Sequence, residues 1–73
     1  MTIRLNGEPF SVSDPLTIAD LLAKLEIDPR VVAVERNLTV IKRAAYTSTH
    51  IVEGDEIEIV NFVGGGCRRD NRR

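Results

Sequence analysis

In a chain of 73 residues, one segment carries a sustained helical period, and it limits what the rest can become. In "DPLTIADLLAKLEIDP", Ile18, Leu21, Leu22 and Leu25 recur at i, i+3, i+4 and i+7, which places them in one apolar stripe. Thr17 can cap this helix, and Asp20 three residues on makes a relative of the Ser/Thr…Glu capping box. Leu16 and Leu21 have the spacing of a hydrophobic staple, and Asp28-Pro29 is expected to stop the helix. A lone amphipathic helix covers only one face of a sheet. If the remaining segments are strands, their opposite face must meet water or a partner.

Those segments do read as strands. In "TIRLNGEPFSV" two alternating runs flank Asn6-Gly7, a strong short-hairpin signal, and Pro9 suits an edge because it donates no ladder hydrogen bond. "RVVAVERN" is β-branched and continuous, Asn37 can turn the chain, and "LTVIKR" follows as a fourth short strand. "AAYTSTHIVEGD" has no period and reads as a connection closed by the turn residues Gly54-Asp55. The last strand is "EIEIVNFV", with Ile57, Ile59, Asn61 and Val63 on one face and Glu56, Glu58, Val60 and Phe62 on the other. The expected order is β-β-α-β-β-β. That is an α+β domain with a mixed sheet of about five strands and one main helix.

A chain of this length buries only about 60% of its unfolded surface, so its stability should be modest. The single cysteine, Cys67, permits no internal disulfide and fits a reducing compartment. The opening residues lack a secretory pattern, and no apolar run suits a membrane helix. A cytoplasmic, membrane-free protein is expected, monomeric when alone.

The net charge of −1 conceals an asymmetry. Of ten basic and eleven acidic residues, four Arg and one Asp lie in 67–73, leaving six basic and ten acidic in the first 66. The body is acidic and the tail basic. A nucleic-acid partner would call for basic groups across a folded face, so none is expected.

Three glycines, Gly64, Gly65 and Gly66, follow the last strand. Taken alone they read as a hinge to a tail. A side-chain-free arm can also thread into another enzyme's active site, where a terminal glycine carboxylate is activated as an acyl adenylate and passed to a nucleophile.

Here the chain resembles the ThiS-type sulfur carriers, small ubiquitin-like proteins of thiamine biosynthesis. The likeness rests on "RLNGEP", "TIADLLAKL", "VVAVERN" and "GDEIEIVNFVGGG", which together span nearly all of residues 1–66. The resemblance implies a β-grasp domain over 1–63, a flexible arm over 64–66, and Gly66 as the site of adenylation and of the thiocarboxylate. It also implies an E1-like enzyme that uses ATP and magnesium, sulfur originating from cysteine, and thiazole synthase as acceptor. The family pattern ends at the position of Gly66, whereas here Gly66 is joined to Cys67 by an amide. The tail 67–73, expected to be disordered, must then be cut between Gly66 and Cys67 by a protease, unless it is an appended remnant. Trimmed carriers of this kind also serve cysteine, methionine or secondary-metabolite pathways. A molybdopterin-type carrier fits "VERN" and "NFVGGG" less well. A rival of another class is a ubiquitin-like binding module whose basic tail is never cut.

Other residues weigh less. Arg68 and Arg69 could lower the Cys67 thiol pKa, but a carrier needs no cysteine and this one would leave with the tail. His50 has no second His or Cys at ligand spacing, so a zinc site is not expected and a solvated loop histidine is. Glu53, Asp55, Glu56 and Glu58 read either as a solvated turn and strand or as an acidic rim that steers docking onto a basic partner. Val60 and Phe62 form an exposed docking patch if the helix covers the other face; alternation alone leaves that orientation open. With no nucleophile–base or paired-carboxylate constellation, the chain reads as a protein co-substrate rather than an enzyme.

Overall fold

The computed structural model describes residues 1–13 and 15–62. The chain order is β1 (Thr2–Leu5), β2 (Glu8–Ser11), β3 (Leu16–Thr17), α1 (Ile18–Lys24), β4 (Val32–Arg36), β5 (Thr39–Ile41), β6 (His50–Ile51) and β7 (Glu56–Asn61). Five of these make a mixed sheet in the order β2-β1-β7-β4-β5, and β3 pairs with β6 in a separate two-stranded ribbon. The first and last long strands lie side by side at its centre and run parallel, while every other pairing in the sheet is antiparallel.

The opening hairpin forms as its sequence suggests. Asn6 (φ 50°) and Gly7 (φ 84°) both occupy the left-handed region that a two-residue hairpin turn requires. Pro9 lies on β2, which is an edge strand. The β4–β5 turn uses Asn37 (φ 52°) and Leu38 (φ 70°) in the same way, although Leu38 is neither glycine nor asparagine.

Helix α1 begins with both halves of a capping box: Thr17 Oγ1 accepts from Asp20 N at 3.1 Å, and Asp20 Oδ2 accepts from Thr17 N at 3.1 Å. Its buried residues are Ile18, Leu21 and Leu22, with Leu25 half-buried. Its end corrects the sequence reading. The helix stops at Lys24, before Asp28-Pro29, because Glu26 takes φ 59° and closes the last turn. Ile27 N donates to Leu22 O (2.9 Å) and Glu26 N to Ala23 O (3.0 Å), the paired bonds of a Schellman closure. Asp28-Pro29 instead opens a 3₁₀ turn, Pro29–Val31, capped by Asp28 on Arg30 N.

The segment read as a connection contributes to the core. Tyr46 and Ile51 are 4% and 2% exposed. The Thr49 and Tyr46 carbonyls accept from Ile18 N (3.0 Å) and Ala19 N (2.9 Å), satisfying helix N-terminal donors that have no intrahelical partner. His50 therefore sits in a short strand beside Thr17, exposed, rather than in a loop.

The core packs α1 and this segment against one sheet face, through Ile3, Val32, Val34 and Ile57 among others. Among the described residues, no helix or core segment packs against the other face. No helix among the described residues is long and apolar enough to cross a membrane.

Candidate functional site

The site is the C-terminal end of β7 together with the open sheet face beside it. Cross-strand register fixes which side chains share that face. Val60 lies opposite Ala33, and Glu58 opposite Glu35. Glu35 in turn lies opposite Val40, and Glu56 is paired with Arg4. Ile57 and Ile59 point the other way, buried and half-buried, so the helix covers their side. This resolves the orientation that alternation left open: Val60 and Phe62 are each 54% exposed, and Val40 is 63% exposed.

The open face is thus an apolar strip, Ala33, Val40, Val60 and Phe62, edged by Glu35, Glu56 and Glu58. The ion pairs among the described residues are Arg30–Asp28 and Arg36–Asp55. None of the three glutamates joins one. Arg4, which is paired with Glu56, turns its Nη2 to the Gly7 carbonyl at 2.7 Å.

Two contacts hold the root of the segment that follows β7. Phe62 N donates to Val31 O at 3.1 Å, carrying the β7 alignment one step beyond Asn61. Asn6 Oδ1 accepts from Ile59 N at 2.8 Å, and its Nδ2 donates to Ile59 O at 3.4 Å. The Asn6 side chain so extends the parallel pairing where β1 has already turned away. Sequence reasoning saw Asn6 only as a turn residue. Its second task joins positions 53 apart, and no local pattern signals it. On the covered side, a groove of about 380 Å³ opens beside this root, floored by Leu25, Ile27, Val32 and Ile59 with Asn6 and Asn61 at its polar edge.

Asp55 also departs from expectation. Grouped with solvated carboxylates by sequence, it is 5% exposed. Its carboxylate accepts from Arg36 Nε (2.8 Å), Val52 N (2.9 Å) and Asn37 Nδ2 (3.1 Å). Burial opposes ionisation, but these donors outweigh it and hold the carboxyl below its ordinary range. Asn37 Oδ1 accepts in turn from Glu56 N at 2.9 Å, which fixes the start of β7. Gly64, Gly65, Gly66 and Cys67 lie outside the described residues. Among the described residues no cluster of His, Cys, Asp and Glu is placed to hold a metal ion.

A five-stranded mixed sheet gripping one helix, with parallel central strands and the last strand leading into glycines, is a ubiquitin-like β-grasp domain. The crystal structure of the thiamine biosynthesis protein ThiS from Geobacter metallireducens superposes with a TM-score of 0.79 at 35% identity, covering 90% of this chain and all of that one. The ThiS family model matches residues 3–66, and the chain belongs to that family. The sulfur carrier protein ThiS of Bacillus subtilis is 42% identical over 65 residues, covering 88% of this chain and 98% of the relative. A thiazole synthase from Paramagnetospirillum magneticum is 42% identical over 66 residues, covering 90% of this chain. The chain spans about a fifth of the length of the thiazole synthases it matches.

Proposed function

We propose that this chain is a sulfur carrier of thiamine biosynthesis whose working group is the carboxyl carbon of Gly66. The observation that carries this reading is where the family match stops. It covers 3–66 and ends on the third glycine, in the segment that follows β7 (Glu56–Asn61). In this reading the chemistry belongs to partners, and this chain supplies reach and a docking face.

The first step is hydrolysis of the Gly66–Cys67 amide by a processing protease. Water adds to the carbonyl carbon, the C–N bond breaks, and the segment from Cys67 leaves as an amine. The freed carboxylate attacks the α-phosphorus of ATP on an E1-like enzyme with its magnesium, releasing pyrophosphate and forming the acyl adenylate. A nucleophilic sulfur at the sulfide level, originating from cysteine, then forms the C–S bond and displaces AMP, leaving a thiocarboxylate. Thiazole synthase is the acceptor this reading favours, because two relatives of that name contain a matching segment within one longer chain. The residues beyond Gly66 keep open a trimmed carrier for cysteine, methionine or another sulfur-containing product. Docking falls to Val60 and Phe62, with Glu56 and Glu58 steering toward a basic partner surface.

The test is the intact mass of the untagged protein from its own host. A species ending at Gly66 and heavier by one oxygen-to-sulfur exchange is expected. Retention of Arg73 under thiamine starvation, together with full function of a Gly65→Ala/Gly66→Ala variant, would reduce the glycines to a linker and favour an uncut binding module.

A further inference from the structure

We propose that Asn6 is a positioning residue for adenylation: its side-chain amide holds the outgoing end of β7, from which the chain runs on to Gly66. The role rests on the sulfur-carrier reading. Strand β1 pairs with β7 only as far as Leu5 opposite Ile57, where β1 turns into its hairpin. β7 continues through Glu58, Ile59, Val60 and Asn61. Over that length β4 lines one edge, with Val34, Ala33 and Val32 opposite Ile59, Val60 and Asn61. On the other edge β1 has turned away, and Asn6 takes its place. The Asn6 backbone N–H donates to Ile57 O at 2.9 Å. Its Oδ1 accepts from Ile59 N at 2.8 Å, and its Nδ2 donates to Ile59 O at 3.4 Å. One carboxamide presents an acceptor and a donor to the same residue, as a neighbouring strand would.

The turn alone does not ask for this side chain. The hairpin needs a positive φ at position 6, where it is 50°, and glycine meets that need as well as asparagine. The carboxamide is thus separable from the turn, and what it adds falls on the strand that carries Val60. Phe62 N donates to Val31 O at 3.1 Å, so the strand end is held from the β4 side and, at Ile59, by Asn6 on the other. Gly66 stands four residues beyond Phe62 in the sequence, at most about 14 Å of chain. A carboxylate on so short a lead meets the α-phosphorus of ATP only if the root of the lead is placed. A misplacement of about 1 Å can cost on the order of 100-fold in rate. Without the amide, β4 still keeps Val60 opposite Ala33. Docking then survives and positioning does not.

The test compares the parental protein with Asn6→Gly, Asn6→Asp and Ile18→Val. The last trims the buried core within α1 and controls for lost stability. Amide hydrogen exchange is read on the full chain. Acyl-adenylate formation, with ATP, magnesium and the E1-like enzyme, is read on the processed chain ending at Gly66. In Asn6→Gly the Ile59 N–H should exchange roughly tenfold faster, the effect of one ordinary hydrogen bond, while amides of α1 change no more than in Ile18→Val. For adenylation kcat should fall roughly tenfold with KM changed by less than about twofold. Asn6→Asp keeps the acceptor that Ile59 N uses and should recover most of both losses, and Ile18→Val should leave kcat at the parental value. Unchanged exchange at Ile59, an equal fall of kcat in Ile18→Val, or a loss carried by KM alone would overturn the proposal. A parental chain that folds and is not adenylated would overturn the carrier reading, and the positioning role with it.

Discussion

Arg36 Nε donates to Asp55 Oδ2 at 2.8 Å, joining the end of β4 to the turn that launches β7. Because Asp55 also accepts from Val52 N and Asn37 Nδ2, its carboxylate organises the start of β7.

Asp55→Asn should destabilise the domain at pH 7 by about 1–3 kcal/mol, because a charge-assisted acceptor is replaced by a neutral amide beside Arg36. For a domain of this size each kcal/mol lowers Tm by roughly 4–8 °C. The sign with pH follows from the lowered pKa. An aspartate ionising near its ordinary 3.9 when unfolded, and lower when folded, contributes stability that is present above about pH 4 and lost as pH falls through the folded value. Urea melts from pH 7 to pH 2.5 should therefore show the two proteins converging at the acid end. Asp28, held at about 2 by Arg30, titrates in the same region but is common to both proteins and cancels. Curves that stay parallel would show that Asp55 does not carry the charge-dependent contribution.

Glu26 and Leu38 both sit in the left-handed region, with φ 59° and 70°, at positions where glycine has no Cβ to strain. Glu26→Gly and Leu38→Gly should each raise stability by up to about 1 kcal/mol, less whatever freedom glycine adds to the unfolded chain. Leu38→Gly additionally removes a side chain that is 84% exposed. Denaturant midpoints measure both effects. A loss of stability in Glu26→Gly would mean that the glutamate contributes something beyond closing the helix.

How far the sequence revealed this domain depends on how local each determinant is. The helix and its cap were legible because Thr17, Asp20 and the Ile18–Leu25 stripe act within a few residues of one another. The opening hairpin was legible for the same reason, since Asn6-Gly7 forces its own geometry. The two faces of β7 were legible, but their orientation was not, because alternation has no sign until a helix is placed on one side. The helix end was misjudged because Glu26 is a poor residue for a left-handed position and Pro29 is a strong stop signal. Asp55 and the second role of Asn6 were invisible because their partners, Arg36 and Ile59, lie 19 and 53 positions away. Residues 64–66 were singled out by composition and family likeness alone.

Ile51 tests the segment that had no period. Its side chain is 2% exposed within the main cluster, so Ile51→Ala should cost about 2–5 kcal/mol through lost burial and a residual cavity. A small domain has roughly 5 kcal/mol or little more to lose, so a large unfolded fraction is expected at 37 °C. The neighbouring Val52, 51% exposed, is the control, and Val52→Ala should change stability by no more than about 0.5 kcal/mol. Equal, small effects at both positions would place β6 outside the cooperative core.

Val60 offers the cleanest separation of docking from folding. It is 54% exposed, its register partner is Ala33, and it stands on the same face as Glu58. Val60→Asp leaves the core untouched and adds a fourth carboxylate to the strip edged by Glu35, Glu56 and Glu58, so Tm should move by only a few degrees. If the apolar strip is where a partner seats, apolar contact is lost and a buried charge is introduced. A tenfold or greater drop in acyl-adenylate formation on the chain ending at Gly66 is then expected, about 1.4 kcal/mol or more. The reading distinguishes two kinds of contact. Glu58→Gln should slow association at low salt and matter little at high salt, as steering does, whereas the Val60→Asp loss should persist at both. A Val60→Asp protein that folds and is adenylated at the parental rate would remove the open face from the docking surface and leave the groove beside Asn61 as the place to look.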